Sequence, residues 1–315
     1  MPPQTSSGDL LADRRYAYAE ACLAEGDAAG AAEMAEQALD LAPRYAPAWL
    51  LLGRAREALH RGGGAERDLQ GALRAYAAAL DLDPEDRLGS RLHLAQLGHG
   101  DRLSAISPAY VRALFDGYAA RFERHLVGDL GYRGPEMLRD ALDRVAGRER
   151  RFARVLDLGC GTGLMGAALA GRYDHLAGVD LSPGMLARAE RHGLYHRLVA
   201  GDLTDCLAEA GPESIDLVVA ADVFIYLGDL GPILASTARA LSPSGLAAFT
   251  VQSHPGAGVV IGEDGRYAHA DSAVLAAAEA AGLAPLLVTE AEIRCQNGRG
   301  VPGRIVVLGR RDTVA

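Results

Sequence analysis

The 315-residue sequence contains no lysine; all 32 of its basic residues are arginine. That absence excludes a Schiff-base lysine and a Walker-type phosphate loop, whose glycines end in Lys followed by Ser or Thr. Cysteine is sparse. Cys22, Cys160, Cys206 and Cys295 lie far apart, without a Cys-x-x-Cys pair or a Cys/His spacing suited to a metal, so a reduced chain with no metal site is expected. Positive charge is also in deficit, with a net charge of −9 and a pI of about 5.5. An acidic chain gains nothing from counterion release on phosphates, and nucleic acid is not an expected partner. Charge interrupts every Ala-rich run well short of a membrane span, and the opening MPPQTSSGDL has no basic segment followed by an apolar core. A cytoplasmic location with no membrane partner is therefore expected. Gly (38) and Pro (14) are too few for a low-complexity chain, and 49% hydrophobic with 23% charged residues suits a folded one.

The N-terminal part repeats itself. Residues 30–43 (GAAEMAEQALDLAP) match residues 71–84 (GALRAYAAALDLDP) in register, 41 positions apart. Each copy reads as a helix with a stripe of small or apolar residues, stopped by Pro, and each follows another helical run, at 16–25 and 48–60. Paired helices ending in Ala-Leu-Asp-Leu-x-Pro resemble tetratricopeptide repeats, whose period is about 34 residues. The excess falls in residues 60–70, which are expected to form an enlarged turn, and residues 88–97 are expected to add a capping helix.

From about residue 150 the pattern becomes β-α-β. Strands are expected at 152–158, 176–180, 197–200, 215–221, 246–251, 285–289 and 304–308, with helices near 164–170, 183–192, 204–210, 230–241 and 272–282. This predicts an α/β class, with a doubly wound, mostly parallel seven-stranded sheet and an all-α N-terminal repeat domain. The domains are read as 1–100 (helical repeats), 101–150 (connector and lid, with helices at 107–126 and 135–145) and 151–315 (sheet domain).

The decisive segment is residues 154–163, RVLDLGCGTG, where a buried strand delivers a Gly-rich turn and a helix follows. A second strand ends in Asp180, 17 residues past Gly163, where a carboxylate can accept both hydroxyls of a ribose. Gly161, Gly163 and Gly166 fit the dinucleotide fingerprint formally. In that register Asp157 and Gly159 fall inside a buried strand, where charge and glycine are both unfavourable. The register Asp157-x-Gly159-x-Gly161-x-Gly163 puts the charge at the strand's mouth, which favours a cationic ligand over a pyrophosphate and weakens a nicotinamide-oxidoreductase reading.

Residues 156–163, 179–185 (VDLSPGM), 200–203 (AGDL), 215–222 (IDLVVAAD) and 241–246 (LSPSGL) resemble the ordered motifs of class I S-adenosylmethionine-dependent methyltransferases, which have a Rossmann-like fold. Together with the repeats, the chain resembles a bacterial group of tetratricopeptide-containing predicted methyltransferases. The resemblance implies S-adenosylmethionine as cofactor and S-adenosylhomocysteine as product. It implies that Gly159, Cys160, Gly161 and Gly163 shape the loop under the methionine part, with Asp157 near its ammonium. Asp180 would hold the ribose, Leu181 and Met185 would lie against the adenine, and Asp202 would accept from its amino group beside Leu203. Asp222 would face the methyl-transfer pocket, and Tyr118 and Phe122 belong to a helix folded over the cofactor. Candidate bases are Tyr226, His254, Tyr267 and His269. No Asn/Asp-Pro-Pro-aromatic run follows the fourth strand and no Pro-Cys pair is present, which leaves a small molecule or a protein side chain as acceptor. The alternative is an interaction protein, whose repeats recruit a partner or self-associate while the sheet domain binds cofactor without turnover.

Overall fold

The structure, a computed structural model, describes residues 6–119, 131–296 and 299–311. It divides into two compact units, residues 1–113 and 114–315. The first is helical: α1 (Leu10–Ala24), α2 (Ala28–Leu41), α3 (Ala46–Gly63), α4 (Glu66–Leu82) and α5 (Ser90–Gln96). Asp9 and Asp27 cap α1 and α2 by accepting their first free amides. Small side chains on α2 (Ala31, Ala35, Ala38) meet Ala48, Leu51, Leu52 and Ala55 of α3 in one core. Gly53 of α3 gives way to the ring of Tyr76 on α4, since a Cβ there would lie 2.5 Å from it. The hydroxyl of Tyr76 donates to the buried Glu57, and its ring stacks on His93 of α5 at 4.7 Å.

The enlarged turn expected at 60–70 is absent. The extra residues lengthen both helices, so that only Gly64 and Ala65 separate α3 from α4. Local chemistry accounts for this: Gly64 adopts a left-handed φ of 70° to cap α3, His60 and Arg61 lie in its last turn, and Glu66 and Asp68 open α4.

Helix α6 (Pro108–Tyr118) contains the division point, and α7 (Gly134–Ala146) precedes the sheet. The remaining elements are β1 (Phe152–Leu158), α8 (Leu164–Ala168), β2 (Tyr173–Asp180), α9 (Pro183–Ala189), β3 (Arg197–Ala200), α10 (Leu203–Glu209), β4 (Ile215–Ala220), α11 (Gly231–Ala240), β5 (Leu241–Ser253), β6 (Val259–Ile261), β7 (Tyr267–His269), α12 (Asp271–Ala280), β8 (Leu283–Gln296) and β9 (Arg299–Arg310). The order β3-β2-β1-β4-β5 is parallel throughout, and β9 joins β5 antiparallel with β8 beyond it. Alternation along the strands fills two cores. Leu156, Leu158, Val218, Ala220 and Phe249 face one, whereas Val155, Leu217, Val219 and Ala248 face the other.

Six of the seven expected strands lie within observed ones and the one expected at 215–221 runs one residue past β4, but the described sheet has nine strands rather than seven. The two additions, β6 and β7, are three residues each, too short for periodicity to reveal. Gln252 pairs with Ala268 of β7 and with Gly303 of β9, so β7 runs along the edge of β5 that β4 occupies earlier. The hairpin thus extends the sheet beyond the carboxyl end of β4. Residues 241–246, which resemble one of the methyltransferase motifs, form the first part of β5, with a register shift against β4. Among the described residues no helix is long and apolar enough to cross a membrane.

Asp86, before α5, generates a stability prediction. It is buried with φ 58°; Oδ1 accepts from the Arg91 amide and Oδ2 has no hydrogen-bond partner among the described residues. Burial pushes its carboxyl up to about 6. The folded state therefore holds a proton that the unfolded chain releases, and stability falls as pH rises from about 4 to 6. Asp86→Asn, which suits a left-handed φ and keeps the acceptor oxygen, is expected to raise stability by about 1–2 kcal/mol at pH 8, with the gain fading toward pH 4. Urea unfolding at the two pH values checks it.

Candidate functional site

The site lies at the carboxyl ends of β1, β2, β4 and β5, where a doubly wound sheet opens a crevice. Asp157, penultimate in β1, alternates with Leu156 and Leu158 and so lies on the same face as Val155. It is 1% exposed, and its Oδ2 accepts from the Tyr195 hydroxyl at 2.6 Å. Burial pushes its carboxyl up to about 7; the Tyr195 hydrogen bond opposes this, and the charge of Asp180 adds to it. Asp180 closes β2. Its Oδ1 accepts from the Ser182 amide at 2.8 Å and its Oδ2 from the Gly161 amide at 2.9 Å. Burial raises its carboxyl and the two amides oppose the shift.

Between these carboxylates runs the glycine turn, with Gly159, Gly161 and Gly163 all at positive φ. The three glycines differ in what surrounds them. A Cβ on Gly159 would strike Val223 at 2.6 Å and one on Gly163 would press on Tyr195 at 3.2 Å, whereas Gly161 faces open space. Cys160 is buried, its amide donates to Val179 and its Sγ lies where Gly178 leaves room; burial pushes its thiol well up, so it stays protonated.

Beyond β2, Leu181 is half-buried and Ser182 caps α9, its Oγ accepting from the Met185 amide. The same hydroxyl donates to Asp116 of α6 at 2.5 Å, so α6 reaches the loop after β2. Met185 is buried at 1% exposure, as a packed core side chain is. Asp202 caps α10 through the Thr204 amide, and Leu203 is buried behind it. Tyr118 ends α6, half-buried; Phe122 lies outside the described residues.

At the ends of β4 and β5 the structure surrounds the expected Asp222 with Arg294 and Tyr132, which carried no sequence signal. Asp222 has φ 59° and its amide donates to Thr250 Oγ1. Both of its oxygens accept from Arg294 Nη1, at 2.7 and 3.0 Å. Arg294, on β8, is 3% exposed; Nη2 donates to Gln252 Oε1, Asp264 lies 3.6 Å away and Nε has no hydrogen-bond partner among the described residues. Tyr132 is buried and shares the field of Asp222, Asp157 and Arg294. Arg294 escaped notice because a strand reading Glu290, Glu292, Arg294 suggests a solvated face.

Three of the four candidate bases gather around the turn at Phe224–Tyr226 and the β6–β7 hairpin. The Tyr226 hydroxyl faces Arg266 Nε at 3.5 Å, and its ring meets Phe115 edge-on at 5.6 Å. Tyr267 is buried on β7, with its ring 6.4 Å from that of His269. His269 is also buried; its Nε2 donates to the Leu227 carbonyl at 2.9 Å, and burial lowers the imidazole to about 4, so it is neutral. His254 stands apart, with Nδ1 accepting from the Gly256 amide and Nε2 donating to the Gly258 carbonyl.

Residues 155–245 match the family model described as a methyltransferase domain. A ubiquinone biosynthesis O-methyltransferase from Hahella chejuensis is 34% identical over 97 residues, covering 29% of this chain and 39% of that protein. The human methyltransferase-like protein 27 is 41% identical over 85 residues, covering 27% of this chain and 34% of that protein. The chain thus spans well under half the length of these curated relatives. Among solved structures, the 1,6-didemethyltoxoflavin-N1-methyltransferase of Burkholderia thailandensis, with 1,6-didemethyltoxoflavin and S-adenosylhomocysteine bound, superposes with a TM-score of 0.50 at 18% identity, over 64% of this chain and 88% of that one. The sheet unit therefore has a Rossmann-like methyltransferase fold, preceded here by a helical region.

Because the half-buried Asp222 has the buried Arg294 as its cation, removing that cation strands a charge. Arg294→Met is expected to cost about 3 kcal/mol, and adding Asp222→Asn to recover at least half of that loss. Unfolding midpoints of the two variants check this.

Proposed function

We propose that this chain is an S-adenosylmethionine-dependent methyltransferase acting on a small molecule or a protein side chain by direct in-line transfer. The observation that carries the reading is a buried carboxylate, Asp157, and a half-buried one, Asp180, with no cation within 4 Å of either among the described residues, flanking a turn where a Cβ on Gly161 would meet nothing closer than 4.0 Å. Such a crevice suits a ligand with a positive charge and a ribose and disfavours a diphosphate. Each oxygen of Asp180 keeps a lone pair after accepting one amide, which leaves two acceptors for vicinal hydroxyls. In this reading Asp157 attracts the ammonium group, Gly161 lets the methionine part approach the backbone, and Leu181, Met185, Asp202 and Leu203 form the adenine side. The cofactor supplies a methyl group already activated on a sulfonium, so the protein's task is alignment, which can lower a barrier by about 7–11 kcal/mol.

The acceptor side is assigned to the region of Tyr226, Arg266 and Tyr267. Asp222 does not serve as a base in this scheme, since Arg294 takes both of its oxygens. His254 and His269 have a nitrogen proton committed to a carbonyl, which leaves Tyr226 as the candidate best able to meet an acceptor. We assign α1–α5 to a tetratricopeptide-like accessory module that binds a protein partner or a second copy, in a cytoplasmic protein. The helical pairing and the Gly53–Tyr76 contact support this part of the reading.

Calorimetric titration with S-adenosylmethionine, S-adenosylhomocysteine and NAD tests the cofactor. Both sulfur nucleosides are expected to bind and NAD is not; tighter binding of NAD contradicts the proposal. Asp180→Ala is expected to weaken S-adenosylhomocysteine at least about tenfold, by loss of charged hydrogen bonds, with circular dichroism unchanged. Transfer of labelled methyl groups to components of a cell extract separates turnover from mere binding.

A further inference from the structure

We propose that Tyr195 is a positioning residue of the cofactor site, its hydroxyl holding Asp157 ionised and oriented for the ligand's ammonium while its ring seats the glycine turn. The inference rests on the cofactor reading above and concerns a residue outside every motif that led to it. Tyr195 lies between the 3-10 turn Glu190–His192 and β3, in the segment Leu194-Tyr195-His196.

Two hydrogen bonds fix the direction of its hydroxyl. The Gly166 amide donates to Oη at 3.2 Å, so the phenolic proton is directed at Asp157 Oδ2, 2.6 Å away. Asp157 makes no other hydrogen bond among the described residues, so its Oδ1 keeps its acceptor capacity. A buried carboxylate with one donor and no cation depends on that donor for its charge. The titratable groups facing Asp157 are Tyr195, Asp180 of β2, Cys160 of the turn and Tyr132 before α7. Of these only Tyr195 donates to it; Asp180 opposes its ionisation, and the Cys160 thiol and Tyr132 phenol stay neutral.

The ring has a separate task. A Cβ on Gly163, Gly166 or Gly178 would lie 3.2, 2.8 or 2.8 Å from the Tyr195 side chain. Three glycines from the turn, α8 and β2 therefore close around one aromatic ring. Gly163, which the dinucleotide fingerprint assigns to ligand approach, and Gly166, which it assigns to helix–strand packing, are small here because Tyr195 is large.

The two tasks separate experimentally, because Tyr195→Phe removes the hydroxyl and keeps the ring. Binding of S-adenosylhomocysteine to the full chain is measured from pH 5.5 to 8.5 for wild type, Tyr195→Phe and Asp157→Asn, with thermal midpoints as the structural control. Wild-type affinity is expected to rise as pH passes through about 7, where Asp157 ionises. In Tyr195→Phe that rise is expected about one pH unit higher, giving about tenfold weaker binding at pH 6.5 and less than about threefold at pH 8.5. Asp157→Asn is expected to bind weakly with no such rise. The ligand's own ammonium titrates identically against all three proteins. A Tyr195→Phe profile parallel to wild type, whether equal or uniformly weaker, overturns the positioning role. Failure of wild type to bind at any pH overturns the cofactor reading and this proposal with it.

Discussion

Three carboxylates lie at or just beyond the ends of β1, β2 and β4, Asp157 buried and Asp180 and Asp222 half-buried, and the way each is compensated organises the crevice. Asp222 has a resident cation, Arg294, and is a finished structural ion pair. Asp157 and Asp180 have only hydrogen-bond donors: one hydroxyl for the first, two backbone amides for the second. Both are pushed toward protonation by burial, and Asp180's charge raises Asp157 further. Such a pair costs free energy on its own, and a cation placed beside it offsets that cost.

The glycine turn follows from the same constraint. Gly161 needs its positive φ because its amide must turn back to Asp180 Oδ2. Gly163 must also accommodate Tyr195, which in turn holds Asp157. Ser182 performs two tasks beside Asp180: its amide donates to that carboxylate, and its hydroxyl caps α9 while donating to Asp116. Through that hydroxyl Asp116 of α6 is tied to the loop that follows Asp180, so any movement of that end of α6 alters the surroundings of Asp180.

The parallel strands were legible because two-faced burial makes them continuous apolar runs, as in Val155-Leu156 and Leu217-Val218-Val219. Asp157 and Asp180 were legible because a charge ending such a run has few structural uses. Tyr195 and Arg294 were not, because each works through a contact between segments distant in sequence: 38 residues separate Tyr195 from Asp157, and 72 separate Arg294 from Asp222. Strands β6 and β7 were too short to show a period, and their pairing depends on β5 outrunning β4. The turn expected at residues 60–70 failed for a local reason. Gly62, Gly63 and Gly64 suggested a loop, but only Gly64 leaves the helix.

A crystal structure of the full chain with S-adenosylhomocysteine tests the central claim most directly. The account predicts both ribose hydroxyls on the oxygens of Asp180 and the ligand's ammonium on Oδ1 of Asp157, with Tyr195 still bonded to Oδ2. A ligand seated elsewhere, or one whose ammonium turns away from Asp157, would contradict it.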